Sequence, residues 1–180
     1  MAARNPLPSG YHSITPSVIV DDAAKALAFY RDAFGAEQTY CLPMGDRIAH
    51  AEIRIGDSRL MLSDEFPEWD AKSPRTLGGA TGSFTIYVPD ADAAVQRAVK
   101  AGAKVVQPVE DQFWGDRMGT VEDPFGQKWM LGTHVEDVSP EEMDRRGREW
   151  AQKHGMGAKP GDNQHAATAK KRAASTKKGH

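Results

Sequence analysis

The feature that most restricts what this chain can fold into is an internal repeat. Residues 15–36 read TPSVIVDDAAKALAFYRDAFGA, and residues 83–103 read SFTIYVPDADAAVQRAVKAGA. Each copy opens on a short run of strand character, Ser17-Val18-Ile19-Val20 in the first and Phe84-Thr85-Ile86-Tyr87-Val88 in the second. Each then reaches an aspartate suited to cap a helix, Asp22 or Asp90. An alanine-rich helix with one apolar stripe follows: Ala23, Leu27, Tyr30 and Phe34 in one copy, Ala91, Ala94, Val95 and Ala98 in the other. Both helices stop at a glycine, Gly35 or Gly102, where a left-handed cap is least costly.

Three short strand-like segments follow each helix. In the first copy they are about Glu37–Leu42, Arg47–Ile55 and Ser58–Ser63, separated by Pro43-Met44-Gly45-Asp46 and Gly56-Asp57. In the second they are about Lys104–Val109, Arg117–Val121 and Lys128–Gly132. The predicted unit is strand, helix, strand, strand, strand, used twice: module one over about 11–64 and module two over about 83–134, within a domain covering 1–138. The segment between them, Asp64 to Gly82, carries Pro67, Pro74, Gly78 and Gly79 and reads as irregular. A third helix is predicted over 139–154. Ser139 begins it, Pro140 takes the first helical position, Glu142 completes a capping box, and Gly147 interrupts it. Met143 and Trp150 form its one apolar stripe.

Charge separates the end of the chain from its body. Residues 153–180 hold seven Lys or Arg against the single acid Asp162, whereas residues 1–152 hold 16 bases against 24 acids. The segment 155–180 has almost no large apolar side chain and is expected to be a disordered basic tail. Such an arm either attracts nucleic acid or another polyanion, or simply solubilises the chain; no aromatic is interleaved to stack on bases. The rest, at 180 residues in all and 39% hydrophobic, suffices to bury one core. No apolar run reaches the roughly 20 residues of a membrane span. The opening MAARNPLPSG lacks the apolar stretch of a signal peptide. A single cysteine, Cys41, excludes an internal disulfide and a cysteine-based zinc site. A cytoplasmic setting is expected. No phosphate loop, dinucleotide fingerprint, zinc finger or serine nucleophile elbow occurs.

Two such modules side by side make an α+β fold. A curved mixed sheet surrounds a central cavity, helices cover its other side, and a C-terminal helix and tail follow. A cavity lined by alternate strand residues is a small-molecule site. His50 and Glu52, two apart on a strand, share a face. They either bind a polar group, act as acid and base, hold a metal at a displaced position, or form an ordinary polar face. In Gln112-Phe113-Trp114-Gly115-Asp116-Arg117, Trp114 stacks on a planar ligand or joins the core. Arg117 pairs with a ligand carboxylate or phosphate, or with a neighbouring acid such as Asp116. Tyr87 alternates with Thr85 and Ser83 on a strand that lines the second half of the cavity.

The paired units, with Asp21 to Tyr30 reading DDAAKALAFY and Glu122 to Gly126 reading EDPFG, resemble the vicinal oxygen chelate superfamily, which includes glyoxalase I, extradiol dioxygenases, and fosfomycin- and bleomycin-resistance proteins. His50-Ala51-Glu52, then Asp111 to Arg117 (DQFWGDR), then Asp123 to Gly126 resemble its PhnB-like subgroup. The resemblance covers roughly residues 11–138. It implies a divalent metal held by His or Glu at four strand positions, which fall here on Thr15, Leu62, Ser83 and Met130. None is a credible ligand for zinc, nickel, iron or manganese.

The expectation is therefore no metal cofactor, and a metal-independent small-molecule-binding protein that sequesters a drug or metabolite, using His50, Glu52, Tyr87, Trp114 and Arg117. The bleomycin-resistance branch implies a homodimer whose paired modules complete two pockets. The alternatives are a metal-dependent lyase, isomerase or dioxygenase of glyoxalase type, and polyanion binding through the tail.

Overall fold

The computed structural model describes residues 7–156. The predicted basic tail lies almost wholly outside the described residues. The chain divides into two units, Met1–Glu136 and Asp137–His180.

In the first unit, strand β1 (Ser17–Val20) leads into helix α1 (Ala23–Phe34), then β2 (Glu37–Met44), β3 (Arg47–Ile55) and β4 (Ser58–Asp64). The connecting segment is more ordered than its proline and glycine content suggests. It contains a 3-10 turn at Pro67–Trp69 and a short helix α2 (Pro74–Leu77) started by the Ser73 side chain. The second module repeats the first: β5 (Ser83–Tyr87), α3 (Ala91–Ala101), β6 (Lys104–Asp111), β7 (Asp116–Glu122) and β8 (Lys128–His134). The sheets have matching orders, β1-β4-β3-β2 and β5-β8-β7-β6. In each, the first strand runs parallel to the last and the other pairs are antiparallel. The α+β class, the two βαβββ modules and the mixed strand order are as the repeat predicts. Five strands, β2, β4, β6, β7 and β8, run one or two residues longer than their sequence signals, β1 and β3 match them, and β5 begins and ends one residue earlier.

The repeat also shows in the helix starts. Asp22 accepts from the Lys25 N–H at 2.9 Å, and Asp90 from the Ala93 N–H at 3.0 Å. The last strand of each module supplies a second acceptor. The Ala23 N–H donates to Asp64 at 2.7 Å, and the Ala91 N–H donates to the Thr133 hydroxyl at 2.9 Å. Side chains thus satisfy backbone donors that the first helical turn leaves without partners.

One core spans both modules. Val18, Val20, Ile53, Leu60 and Leu62 face α1 from the first sheet; Val121, Trp129 and Leu131 line the second. The alanines on α1 and α3 let the two helices meet. The α1 residues Tyr30 and Phe34 reach Trp129 of β8, with ring centroids 5.3 and 4.8 Å apart. Burial therefore extends beyond the single predicted stripe to Ala26, Phe29 and Ala33, because α1 contacts both modules. The Tyr30 hydroxyl and the Trp129 indole N–H both donate to Asp123 at 2.9 Å, a tie between modules inside the core. The helix-covered faces of the two sheets thus meet, leaving on each sheet an opposite, open face that carries neither α1 nor α3. The strands β1 and β5, like β2 and β6 at the opposite ends, are sheet edges with no strand partner on their outer side among the described residues.

The second unit holds α4 (Pro140–Lys153), which starts as predicted with Ser139 accepting from the Glu142 N–H. It runs unbroken through Gly147, where an interruption was expected. Arg145 pairs with both Glu142 and Glu149, bridging that position.

Candidate functional site

Strand alternation gives each open face a polar cluster set among apolar side chains. On the first sheet, Ala51 and Ile53 of β3 point to the core, so His50 and Glu52 share the open face. His50 Nε2 meets a Glu52 oxygen at 3.2 Å. The Tyr11 hydroxyl, from the segment before β1, donates to the other Glu52 oxygen. Arg59 of β4 lies 3.5 Å from that same oxygen, donates to the Thr39 hydroxyl at 3.0 Å and to the Gly10 carbonyl at 3.1 Å, and stacks on the Tyr11 ring. The Tyr11 hydroxyl, helped by His50 and Arg59, holds the Glu52 carboxyl below the usual glutamate range. Tyr40 and Leu42 of β2 pair opposite Glu52 and His50 and remain about half exposed, at 49% and 45%.

On the second sheet the centre is Asp116, only 4% exposed. The Tyr87 hydroxyl donates to it at 2.9 Å and the Trp114 indole N–H at 3.0 Å, while His134 Nδ1 lies 2.8 Å from its other oxygen. Burial opposes its charge, but the bonds from His134, Tyr87 and Trp114 prevail and hold its carboxyl below the usual aspartate range. The Tyr87 ring remains 63% exposed on the open face, next to Thr85 and Met130. A groove of 530 Å³ runs along the edge of β5, lined by Phe34, Ile55, Leu60, Phe84, Tyr87 and Trp129.

Four of the five sequence candidates thus fall into two pairs: His50 with Glu52, and Tyr87 with Trp114 through Asp116. Arg117 is elsewhere. It shares the helix-facing side of β7 and donates to Asp92 at 2.6 and 3.0 Å and to Asp111 at 2.9 Å, pinning the start of α3. Sequence reasoning missed Tyr11, Arg59, Asp116 and His134. Asp116 lay inside a segment already singled out, and Arg59 has the right alternation. Tyr11 precedes any strand and left no signal.

The positions aligned with superfamily metal ligands are set as follows. Leu62 is a correction: it is 1% exposed in the core, whereas its neighbour Met61, opposite Ser17, shares the open face with Arg59. Ser83 contacts the Met130 sulfur at 3.6 Å, and Thr85 approaches it at 3.8 Å. A thioether does not suit a hard or borderline divalent ion, and the neutral hydroxyls beside it bring neither the charge nor the imidazole nitrogen that would hold one. Among the described residues, no group of three or more His, Cys, Asp or Glu could hold a metal. The residues present do not fit the ion.

The family model described as Glyoxalase/Bleomycin resistance protein/Dioxygenase superfamily matches residues 11–131. The chain belongs to this superfamily. The superfamily member described here is 42% identical over 135 residues to the uncharacterized protein Rv0887c of Mycobacterium tuberculosis, a match covering 73% of this chain and 79% of that protein. Among solved structures it is similar to the Arabidopsis thaliana At5g48480 product, at 27% identity and a TM-score of 0.56, covering 70% of this chain and 99% of that one. It shares its fold with the fosfomycin resistance protein FosX of Listeria monocytogenes, at 17% identity and a TM-score of 0.53, covering 74% of this chain and 94% of that one. That FosX structure is a complex with manganese(II) and 1S,2S-dihydroxypropylphosphonic acid. No described helix is long and apolar enough to cross a membrane.

Proposed function

We propose that this superfamily member is a small-molecule-binding protein that needs no bound metal, acting in the cytoplasm to sequester an organic compound, with its nearest affinities in the PhnB-like subgroup. One observation carries the reading. Each module presents an open face with a fixed polar cluster among exposed apolar side chains, while hydroxyls, thioethers and a core leucine stand where metal ligands would be needed. His50 and Tyr40 offer polar and ring contacts on one face, and Tyr87 and Trp114 on the other. Arg117 braces the second module rather than touching the ligand.

Neither face is roofed by the chain's own sheets, and among the described residues the outer edges of β1 and β5 lack strand partners. A homodimer meets both needs at once. The β1 edge of one copy beside the β5 edge of another continues the sheet and sets a first-module face against a second-module face. Each ligand then lies between two chains.

The test is fluorescence titration of the full-length, chelator-treated protein with a panel of aromatic and glycopeptide compounds, alongside sedimentation. Saturable quenching that survives EDTA and weakens in Trp114→Phe is the expected result. Binding or turnover that appears only after adding a divalent ion overturns it in favour of a metal-dependent lyase, isomerase or dioxygenase.

A further inference from the structure

Glu52 directs its carboxylate at the protein itself. One oxygen takes the Tyr11 hydroxyl with Arg59 close by, and the other faces His50 Nε2. With the carboxyl held in its charged form, it fixes a proton on Nε2 of neutral His50, and the lone pair resides on Nδ1. Among the described residues Nδ1 has no hydrogen-bond partner, and the side chain is 35% exposed on the open face. The Tyr40 ring lies 6.0 Å from the imidazole, and Leu42 is its partner across the strands. A basic nitrogen, oriented from behind by an anchored carboxylate, therefore shares its face with the Tyr40 ring and Leu42.

We propose that this face is a metal-independent proton-transfer site for aryl-substituted carbon acids, with His50 as general base and Glu52 as its positioning residue. The reaction removes a proton from carbon next to a nitro or carbonyl group. The C–H bond breaks, the proton goes to Nδ1, and the electron pair moves onto the withdrawing group. The imidazolium is stabilised by Glu52 until water takes up its proton. No oxidant or metal enters. Tyr11 and Arg59 serve by holding Glu52, and Tyr40 and Leu42 select for a ring. The inference rests on the open face being a ligand site, but it fails separately: binding without His50-dependent rate sinks this proposal and leaves the binding reading intact.

The probe is phenylnitromethane, with nitronate formation followed by absorbance on EDTA-treated, full-length protein. Wild type should show a saturable rate about 100-fold above the same concentration of free imidazole, in the range of positioned general bases. His50→Asn should fall to background. Glu52→Gln should lower the saturated rate about 10-fold without moving the half-saturation point, as loss of an outer orienting carboxylate does. Tyr11→Phe, which keeps the ring, should give an intermediate rate. Nitrogen-15 NMR of neutral His50 should show the proton on Nε2 in wild type and a mixture in Glu52→Gln. A wild-type rate in a folded His50→Asn, or a neutral His50 protonated on Nδ1, overturns the proposal.

Discussion

Asp123 receives the Tyr30 hydroxyl, the Trp129 indole N–H and the backbone N–H groups of Phe125 and Gln127, all at 2.9 Å. Burial nevertheless pushes its carboxyl above the usual aspartate range, against the pull of those donors. Removing one donor penalises the charged form further. Tyr30→Phe should therefore cost about 1–3 kcal/mol at neutral pH, the range for a buried group left short of a partner. The cost should shrink in acid, as Asp123 takes up a proton. Urea unfolding at both pH values measures it, and a loss under about 0.5 kcal/mol at neutral pH would mean water replaces the phenol. Glu52 behaves in the opposite sense. Its lowered folded value means its contribution is present at neutral pH and is lost as pH falls beneath the ordinary glutamate range. The protection factor against hydrogen exchange at the Tyr11 amide should fall there, while protection in the α1 interior does not. At this scale the sequence was only partly readable. His50 and Glu52 announced a shared face by spacing alone. Tyr11 could not, because contact between residues 41 positions apart leaves no periodic trace.

Elements were far more legible, because caps and glycine stops mark their ends chemically. Each module's strand–helix–strand–strand–strand order and both helix starts could be read directly. What failed was strand direction. In β4 the run Leu60-Met61-Leu62 is apolar throughout, so sequence alone cannot tell which residues face α1; Asp64 hydrogen-bonding the start of α1 settles it. In β7, Arg117 shares the inner face with Gly119 and Val121, a side where no arginine is expected until Asp92 is seen opposite. Two glycines, Gly119 on β7 and Gly132 on β8, give a sharp contrast. A Cβ on Gly119 would lie 2.8 Å from a Val109 methyl and 3.3 Å from Val109 backbone atoms, whereas one on Gly132 would meet the mobile end of Met118 at 2.6 Å. Gly119→Ala must push the irregular β6 outward, at about 1–3 kcal/mol as for overpacking generally. Gly132→Ala asks only for a new Met118 rotamer and should cost less. Thermal unfolding of the pair decides this, and equal losses would show that Met118 is as rigid as backbone.

At the scale of the whole molecule, the proposed dimer would form at a strand edge. The Val88 N–H bonds the Gly132 carbonyl, so by alternation the N–H groups of Ser83, Thr85 and Tyr87 point to the open edge of β5. Proline is tolerated at such positions. Thr85→Pro should leave the chain folded by circular dichroism yet monomeric by sedimentation, if a second copy adds its strand there; an unchanged dimer would place the contact elsewhere. The duplication foretold two modules but not that their covered faces meet, since nothing in either copy says which surface its helix turns to the other. That inner union has a consequence for how the chain melts. With Phe34 and Tyr30 lodged on Trp129, neither half keeps its aromatic lining if the other departs. Heating should give a single calorimetric peak rather than two, and a gene cut at the connecting segment should yield two unstable fragments rather than a smaller working protein.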